Sequence, residues 1–370
     1  MGKLCAFYMS FLFCFSLIFF TSIFPQHVLA NESKSSLAPA LYVMGDSLLD
    51  SGNNNLLPTL AKANFLPYGH NFARGSTGRF TNGRTVADFI AEFLGLPYSP
   101  PYISSLRRWS TLTGFNYASA TCGILPETGM YIGKCLNLGD QISLFERTVN
   151  VNLARQFESS TKMKDYLSKS IFVISIGSND YINNYLQPNI CASSLSYSPQ
   201  SFAELLNDAL FQHFQRLYKL GARKVVMFEL GPIGCIPSVT RQHKHSGKCV
   251  EEINQLVNLF NTQLRTTLAT LTSTLKGSAF VLGHLNGLGY DAIINSNAYG
   301  LTDSSNPCCI TWQNGTSGCI PGSLPCRDAD KHYFWDGFHL TEAIYSVLGR
   351  QCINDNKFCI PMSIKQLVQA

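Results

Sequence analysis

The chain has 370 residues, 45% of them hydrophobic and 14% charged. That is too apolar for a disordered or coiled-coil protein, and long enough to bury a sizeable core. The formal net charge of +5 is spread along the chain without a basic run, so no nucleic-acid footprint is present.

In chain order, residues 1–30 come first. Lys3 precedes an apolar run from Leu4 to Phe24, and Val28, Leu29 and Ala30 offer small residues suited to signal peptidase. The run is long enough to act as a bilayer anchor, but the polar Gln26 and residues 31–36 that follow favour cleavage. The reading is a secretory signal over residues 1–30 and a single domain over residues 31–370, with no stable membrane insertion after cleavage. Loss of Lys3, the one charged residue of that segment, takes the net charge from +5 to +4.

Beyond it, short apolar runs alternate with amphipathic stretches, which is how a parallel sheet covered by helices is written in sequence. Residues 40–44 read as a strand that leads into Gly45, Asp46, Ser47 and Leu48. This puts Ser47 at the carboxyl end of the strand, where parallel sheets collect active sites. A helix-capping serine has the same local sequence, so the tetrapeptide decides nothing by itself. Leu48 and Leu49 rule out the Gly-x-Ser-x-Gly elbow of the common α/β hydrolases.

Val86, Phe89, Ile90, Phe93 and Leu94 then fall on one face of a helix. Residues 114–118 read as a second strand, which runs into the small-residue stretch from Asn116 to Gly123. A third strand at 171–176 precedes Gly177, Ser178, Asn179 and Asp180. Residues 187–200 read as a surface loop. Leu206, Leu210, Phe214 and Leu217 predict a helix, and Ile253, Leu256, Val257, Phe260, Leu264, Leu268, Leu271 and Leu275 a longer one. Strands at 224–230 and 279–282 bring the sheet to five. Residues 306–327 lack periodicity and read as a disulfide-held loop.

Near the end, Trp335, Asp336, Gly337, Phe338 and His339 place a carboxylate three residues before an imidazole. That spacing lets Asp336 hold the ring and stabilise its charged form, with Ser47 completing a triad. Asn179, and a backbone N–H in the stretch that follows the second strand, have the chemistry to bind an oxyanion.

Thirteen cysteines, eleven of them after residue 30, point to an oxidising compartment. The close spacings of Cys122 with Cys135, Cys235 with Cys249 and the group from Cys308 to Cys326 suit stapled loops, with one thiol left over and connectivity open. A zinc site on the last group is disfavoured by the adjacent Cys308 and Cys309. Sequons at Asn31 and Asn314 become glycosylation candidates in the secretory path.

Gly45-Asp46-Ser47-Leu48 with Asp50, Gly52, Asn53, Asn54 and Asn55, then Gly177-x-Asn179-Asp180, then Asp336-x-x-His339, together resemble the plant GDSL esterase/lipase family of SGNH hydrolases, from about Leu41 to the end. The resemblance implies a three-layer flavodoxin-like α/β fold with a central five-stranded parallel sheet. It implies Ser47 as nucleophile, His339 as general base, Asp336 as its orienting carboxylate, and no cofactor or metal. The oxyanion donors it implies are the Ser47 N–H, Asn179 and a second-block glycine. Here the block reads Asn116-Tyr117-Ala118-Ser119-Ala120-Thr121-Cys122-Gly123, so the donor is the N–H of Gly123, the matching residue type, or of Thr121.

Other polar residues read as structural. His213 continues a helix stripe, His243 and His245 flank Lys244 in a polar loop, and Asp46, Asp50, Asp180 and Asn53 to Asn55 serve backbone hydrogen bonding. The function expected is a secreted esterase or lipase acting on a small or polymer-linked ester, destined for the extracellular space, cell wall or vacuole. Acyl transfer by the same triad, or an inert binding protein on the same fold, are the alternatives. Substrate identity and oligomeric state are not written in the sequence.

Overall fold

The computed structural model describes residues 36–105 and 112–370. The expected signal segment and the Asn31 sequon lie outside the described residues. Within them run β1 (Leu41–Gly45), β2 (Ile171–Ser175), β3 (Lys224–Phe228), β4 (Ala279–Gly283), β5 (Asp303–Pro307), β6 (His332–Phe334) and β7 (Cys359–Ile360). Strands β1 to β4 pair in chain order, all parallel, with Leu41 opposite Ile171, Ile171 opposite Lys224 and Lys224 opposite Ala279.

Nearly every residue of these four strands is buried, so apolar cover is needed on both faces of the sheet. Helices supply it: α1 (Val86–Leu94), α2 (Leu138–Arg147), α3 (Pro199–Lys219), α4 (Glu251–Thr274), α5 (Leu285–Ile294) and α6 (Glu342–Asn354). Helix α3 packs on α4, and α1 on α6. Their ends follow local chemistry. Thr85 and Asp88 form a capping box at the start of α1, and Gly95, at φ 70°, closes it. The Ser198 side chain caps α3, which begins at Pro199, so the surface loop expected over 187–200 ends in the first turn of a helix.

Two edges depart from the all-parallel expectation. Residues 113–119 do run beside β1, with the Leu41 N–H donating to the Thr113 carbonyl, Val43 to Phe115, and Tyr117 back to Val43. They form only an isolated parallel bridge there, at Val43 and Asn116, rather than a continuous strand. On the edge away from β1, the Asn53 amide takes the carbonyls of Asn116 and Ala118, at 2.9 and 2.8 Å. At the other edge, β7 pairs antiparallel with β4, making a mixed five-stranded sheet of order β1-β2-β3-β4-β7. With residues 113–119 counted outside β1, the parallel part keeps the flavodoxin-like order.

Disulfides join Cys122 to Cys135, Cys235 to Cys249, Cys308 to Cys326, Cys309 to Cys319 and Cys352 to Cys359. Among the described residues, Cys191 is the free thiol. The second and third of the stapled groups expected from spacing thus resolve into three bridges, with Cys309–Cys319 nested inside Cys308–Cys326.

Candidate active site

The turn after β1 is tight for a stated reason. A Cβ on Gly45 would lie 2.3 Å from the Ser175 carbonyl oxygen of β2, so only glycine lets the chain leave the sheet here. Gln141 of α2 clamps the same residue, its Oε1 accepting from the Gly45 N–H and its Nε2 donating to the Gly45 carbonyl, both at 2.8 Å. The Asp50 N–H donates to the Asp46 carbonyl at 3.0 Å, closing a helical turn from which Ser47 projects, half-buried, into a cavity.

His339 meets it from 292 residues further along the chain, with Nε2 2.7 Å from Ser47 Oγ. The imidazole is aimed by its own loop. Asp336 Oδ1 accepts the N–H groups of Phe338 and His339, both at 2.8 Å, and both carboxylate oxygens lie 2.8 Å from His339 Nδ1. Asp336 and His339 are both buried. Burial pushes the Asp336 carboxyl up, but the neighbouring His339 and the donors around it outweigh burial and hold it below the usual carboxylate range.

One of those donors carried no sequence signal. The Tyr68 hydroxyl donates to Asp336 Oδ2 at 2.7 Å and accepts the Cys319 N–H at 3.1 Å. Burial, then the adjacent carboxylate, push the Tyr68 phenol well above its ordinary value, so it stays a donor. Phe80 packs its ring against His339, with centroids 5.1 Å apart.

Ser47, Thr121 and Asn179 line the cavity together. Asn179 Nδ2 donates to the Cys122 carbonyl at 3.0 Å, while its Oδ1 accepts from Asn183 Nδ2 at 2.8 Å. Asn183 thereby fixes the amide's orientation and leaves its second N–H for a ligand. Thr121 sits at φ 70°, a conformation that costs a β-branched residue of order 1–3 kcal/mol and tends to persist at functional sites. Gly123 is buried against Asp180 instead, and a Cβ there would lie 2.3 Å from a carboxylate oxygen. Asp180 in turn accepts the N–H groups of Ile124 and Leu125, at 2.8 and 3.0 Å, and the Thr128 hydroxyl at 2.7 Å.

The remaining residues singled out from sequence take supporting places. Asp50 accepts the Gly52 and Asn53 N–H groups at 2.7 Å, and Asn54 binds Ser119 and Ala120, which ties the Ser47 segment to the Thr121 loop. Asp46 is buried, with Oδ1 accepting the Leu48 N–H at 3.0 Å and Oδ2 without a partner. Burial drives its carboxyl up to about 7. His213 is half-buried on α3, and His243 and His245 are exposed. Cys308, Cys326 and His332 lie close enough for a metal, but the two sulfurs are bonded to each other. Asn314 is exposed in the 308–326 loop, at φ 52°.

A family model described as GDSL-like lipase/acylhydrolase matches residues 41–351. GDSL esterase/lipase 7 of Arabidopsis thaliana is 45% identical over 92% of this chain and 94% of its own length. Two further Arabidopsis thaliana GDSL esterase/lipases are 41% and 42% identical, over 91% and 93% of this chain and 89% of each of theirs.

Proposed function

The chain belongs to the GDSL-like lipase/acylhydrolase family and is a carboxylic ester hydrolase; from that premise we propose that it acts through an acyl-enzyme on Ser47. The observation that carries this is the unbroken line from Ser47 Oγ to His339 Nε2 at 2.7 Å and from His339 Nδ1 to Asp336 at 2.8 Å. His339 takes the hydroxyl proton as Ser47 Oγ bonds to the ester carbonyl carbon, and Asp336 stabilises the imidazolium. The tetrahedral oxyanion accepts from the Ser47 N–H, the Thr121 N–H and Asn179 Nδ2, each donor lowering the barrier by about 3 kcal/mol. Collapse breaks the ester C–O bond and returns the proton from His339 to the departing alcohol. Water then repeats the sequence on the acyl-enzyme, releasing the acid and restoring Ser47.

Thr121 takes the second-block role in this reading because its residue lines the cavity, whereas Gly123 is packed on Asp180. Tyr68 is a positioning residue that acts through Asp336. Secretion is part of the proposal, supported by the five disulfides among the described residues and by the reading of residues 1–30 as a signal. Among the described residues no helix is long and apolar enough to cross a membrane. Asn314, exposed on its loop, is the glycosylation site proposed within the described residues.

The test is Ser47→Ala. The variant is expected to keep the wild-type melting temperature, to lose turnover of a short-chain aryl ester by at least ~10⁴-fold, and to lose labelling by a fluorophosphonate. Wild-type turnover or labelling in the purified variant removes Ser47 from the mechanism.

A further inference from the structure

Part of the mouth of the Ser47 cavity is a hairpin closed by the Cys309–Cys319 bridge. Thr311 pairs antiparallel with Cys319, and the Trp312 N–H donates to the Gly318 carbonyl at 3.3 Å, which leaves residues 313–317 as the turn. Trp312 and Gln313 line the cavity on the near side of that turn, and Ser317, Gly318 and Cys319 line it on the far side.

The turn is seated on the catalytic loop. The Gly337 N–H donates to the Ser317 carbonyl at 3.0 Å, and a Cβ on Gly337 would come within 2.8 Å of the Gly315 carbonyl oxygen, so no side chain fits between the turn and the residue after Asp336. Gly315 is buried in that contact, whereas Asn314 beside it is exposed. Arg241 fixes the arrangement, its Nη1 donating to the Asn314 carbonyl at 2.7 Å and its Nη2 to Asn306 Oδ1 at 2.8 Å. Asn314 is thus held facing out, one residue from a contact with the loop that carries Asp336 and His339.

Asn314, Gly315 and Thr316 form the sequon. The same hairpin carries an apolar face, because alternate residues of a strand share a side: Ile310 and Trp312 are exposed to 59% and 56%. Apolar side chains grouped at the mouth of a cavity favour association with lipid surfaces. A hydrophilic oligosaccharide two residues from Trp312 would cover that face.

We propose that an N-linked oligosaccharide on Asn314 overhangs the mouth of the Ser47 cavity, covers the face of Ile310 and Trp312, and confines the enzyme to small dissolved esters by holding off aggregated lipid. The proposal rests on residues 1–30 as a secretory signal and on Ser47 as the nucleophile. Attachment forms a bond from the Asn314 amide nitrogen to the anomeric carbon of a lipid-linked oligosaccharide. It breaks that carbon's bond to the donor's diphosphate, and the amide proton and the lipid diphosphate leave.

The experiment secretes the full-length chain and its Asn314→Gln, Thr316→Ala and Thr316→Ser variants from a eukaryotic host, and reads occupancy from the mass of the peptide that carries residue 314. Wild type and Thr316→Ser are expected to carry carbohydrate there, and the other two to lack it. For dissolved p-nitrophenyl butyrate, kcat/KM is expected to stay within ~2-fold across the set. Turnover of emulsified tributyrin is expected to rise at least ~10-fold in Asn314→Gln and Thr316→Ala, the gain in association from seating one large apolar side chain, and to stay at the wild-type level in Thr316→Ser. Bare Asn314 in the secreted wild type overturns the proposal, as does an emulsion-to-dissolved ratio that does not move when the sugar is lost. If the variants do not fold, enzymatic removal of the oligosaccharide from the folded wild type gives the same comparison. Turnover in Ser47→Ala would instead reject the nucleophile, with occupancy and the ratio still readable in the wild type.

Discussion

At the scale of single residues, the side chain that most changes the account of the site is Tyr68. Its hydroxyl joins Asp336 to the Cys319 backbone, so the carboxylate that orients His339 is itself held from the disulfide-bonded loop. Tyr68→Phe removes one hydrogen bond to a buried charged group, a loss of about 1.5–3 kcal/mol. Exerted on the imidazole's orienting partner, it is expected to lower kcat ~10-fold with KM little changed, and to displace the acid limb of the kcat/KM profile. A fall in melting temperature with kcat and the pH profile intact would make Tyr68 structural only. Ser47, Asp336 and His339 were legible in the sequence because each stands inside a local motif of turn residues. Tyr68 was not, since its partner lies 268 residues away and a lone tyrosine among Phe, Pro and Gly carries no periodic or catalytic pattern. Gln141 was hidden for a related reason, as one polar residue on an otherwise ordinary amphipathic helix.

At the scale of elements, strands β1 to β4 and helices α1, α3 and α4 were readable because burial on one or two faces forces a spacing on the sequence. What escaped was what side chains decide. The stretch 113–119 has a strand's composition and bonds along β1, and its outward edge is closed by Asn53, which takes two of its carbonyls. Strand β7 is two residues long, too short for any pattern. The segment from Ser119 to Leu125 is the clearest case of an element built by side chains: Asp50, Asn54 and Asp180 together bind the Ser119 hydroxyl, the Ala120 N–H and carbonyl, and the N–H groups of Ile124 and Leu125. A loop so fixed holds Thr121 at φ 70° and turns strain into a placed N–H. Thr121→Gly keeps that N–H and relieves the strain, so activity is expected to stay within ~3-fold of wild type. Asp180→Ala strands the Ile124 and Leu125 N–H groups and is expected to destabilise by about 1–3 kcal/mol and to cost more activity than Thr121→Gly does. The pair is read by chemical denaturation and ester turnover, and a large loss in Thr121→Gly would show that its side chain, rather than its backbone, serves the reaction.

At the scale of the whole molecule, the buried carboxyls set how stability responds to pH. Burial raises Asp46 to about 7, and raises Asp50 and Asp180 to about 6 against the N–H and hydroxyl donors that hold them. A carboxyl raised in the folded state keeps a proton that the unfolded chain has released. Its stabilising contribution is therefore complete below the ordinary aspartate value and is lost as pH climbs through the folded one. Asp336, held low, acts in the opposite sense: its contribution is present above the ordinary value and is lost as pH falls through the folded one. The two effects place the most stable condition on the acid side of neutrality, near pH ~4–5, with each raised carboxyl adding a downward slope of up to about 1.4 kcal/mol per pH unit toward pH ~7. Asp46 is the group to change, because its Oδ2 is buried without a partner and an amide nitrogen fits that position without requiring a charge. Asp46→Asn is expected to melt higher than wild type at neutral pH, to match it near pH ~4 and to flatten the decline between them by about one proton's worth of slope. Thermal melts of the two proteins across that range decide it, and parallel curves would mean that Asp46 is already ionised in the folded protein.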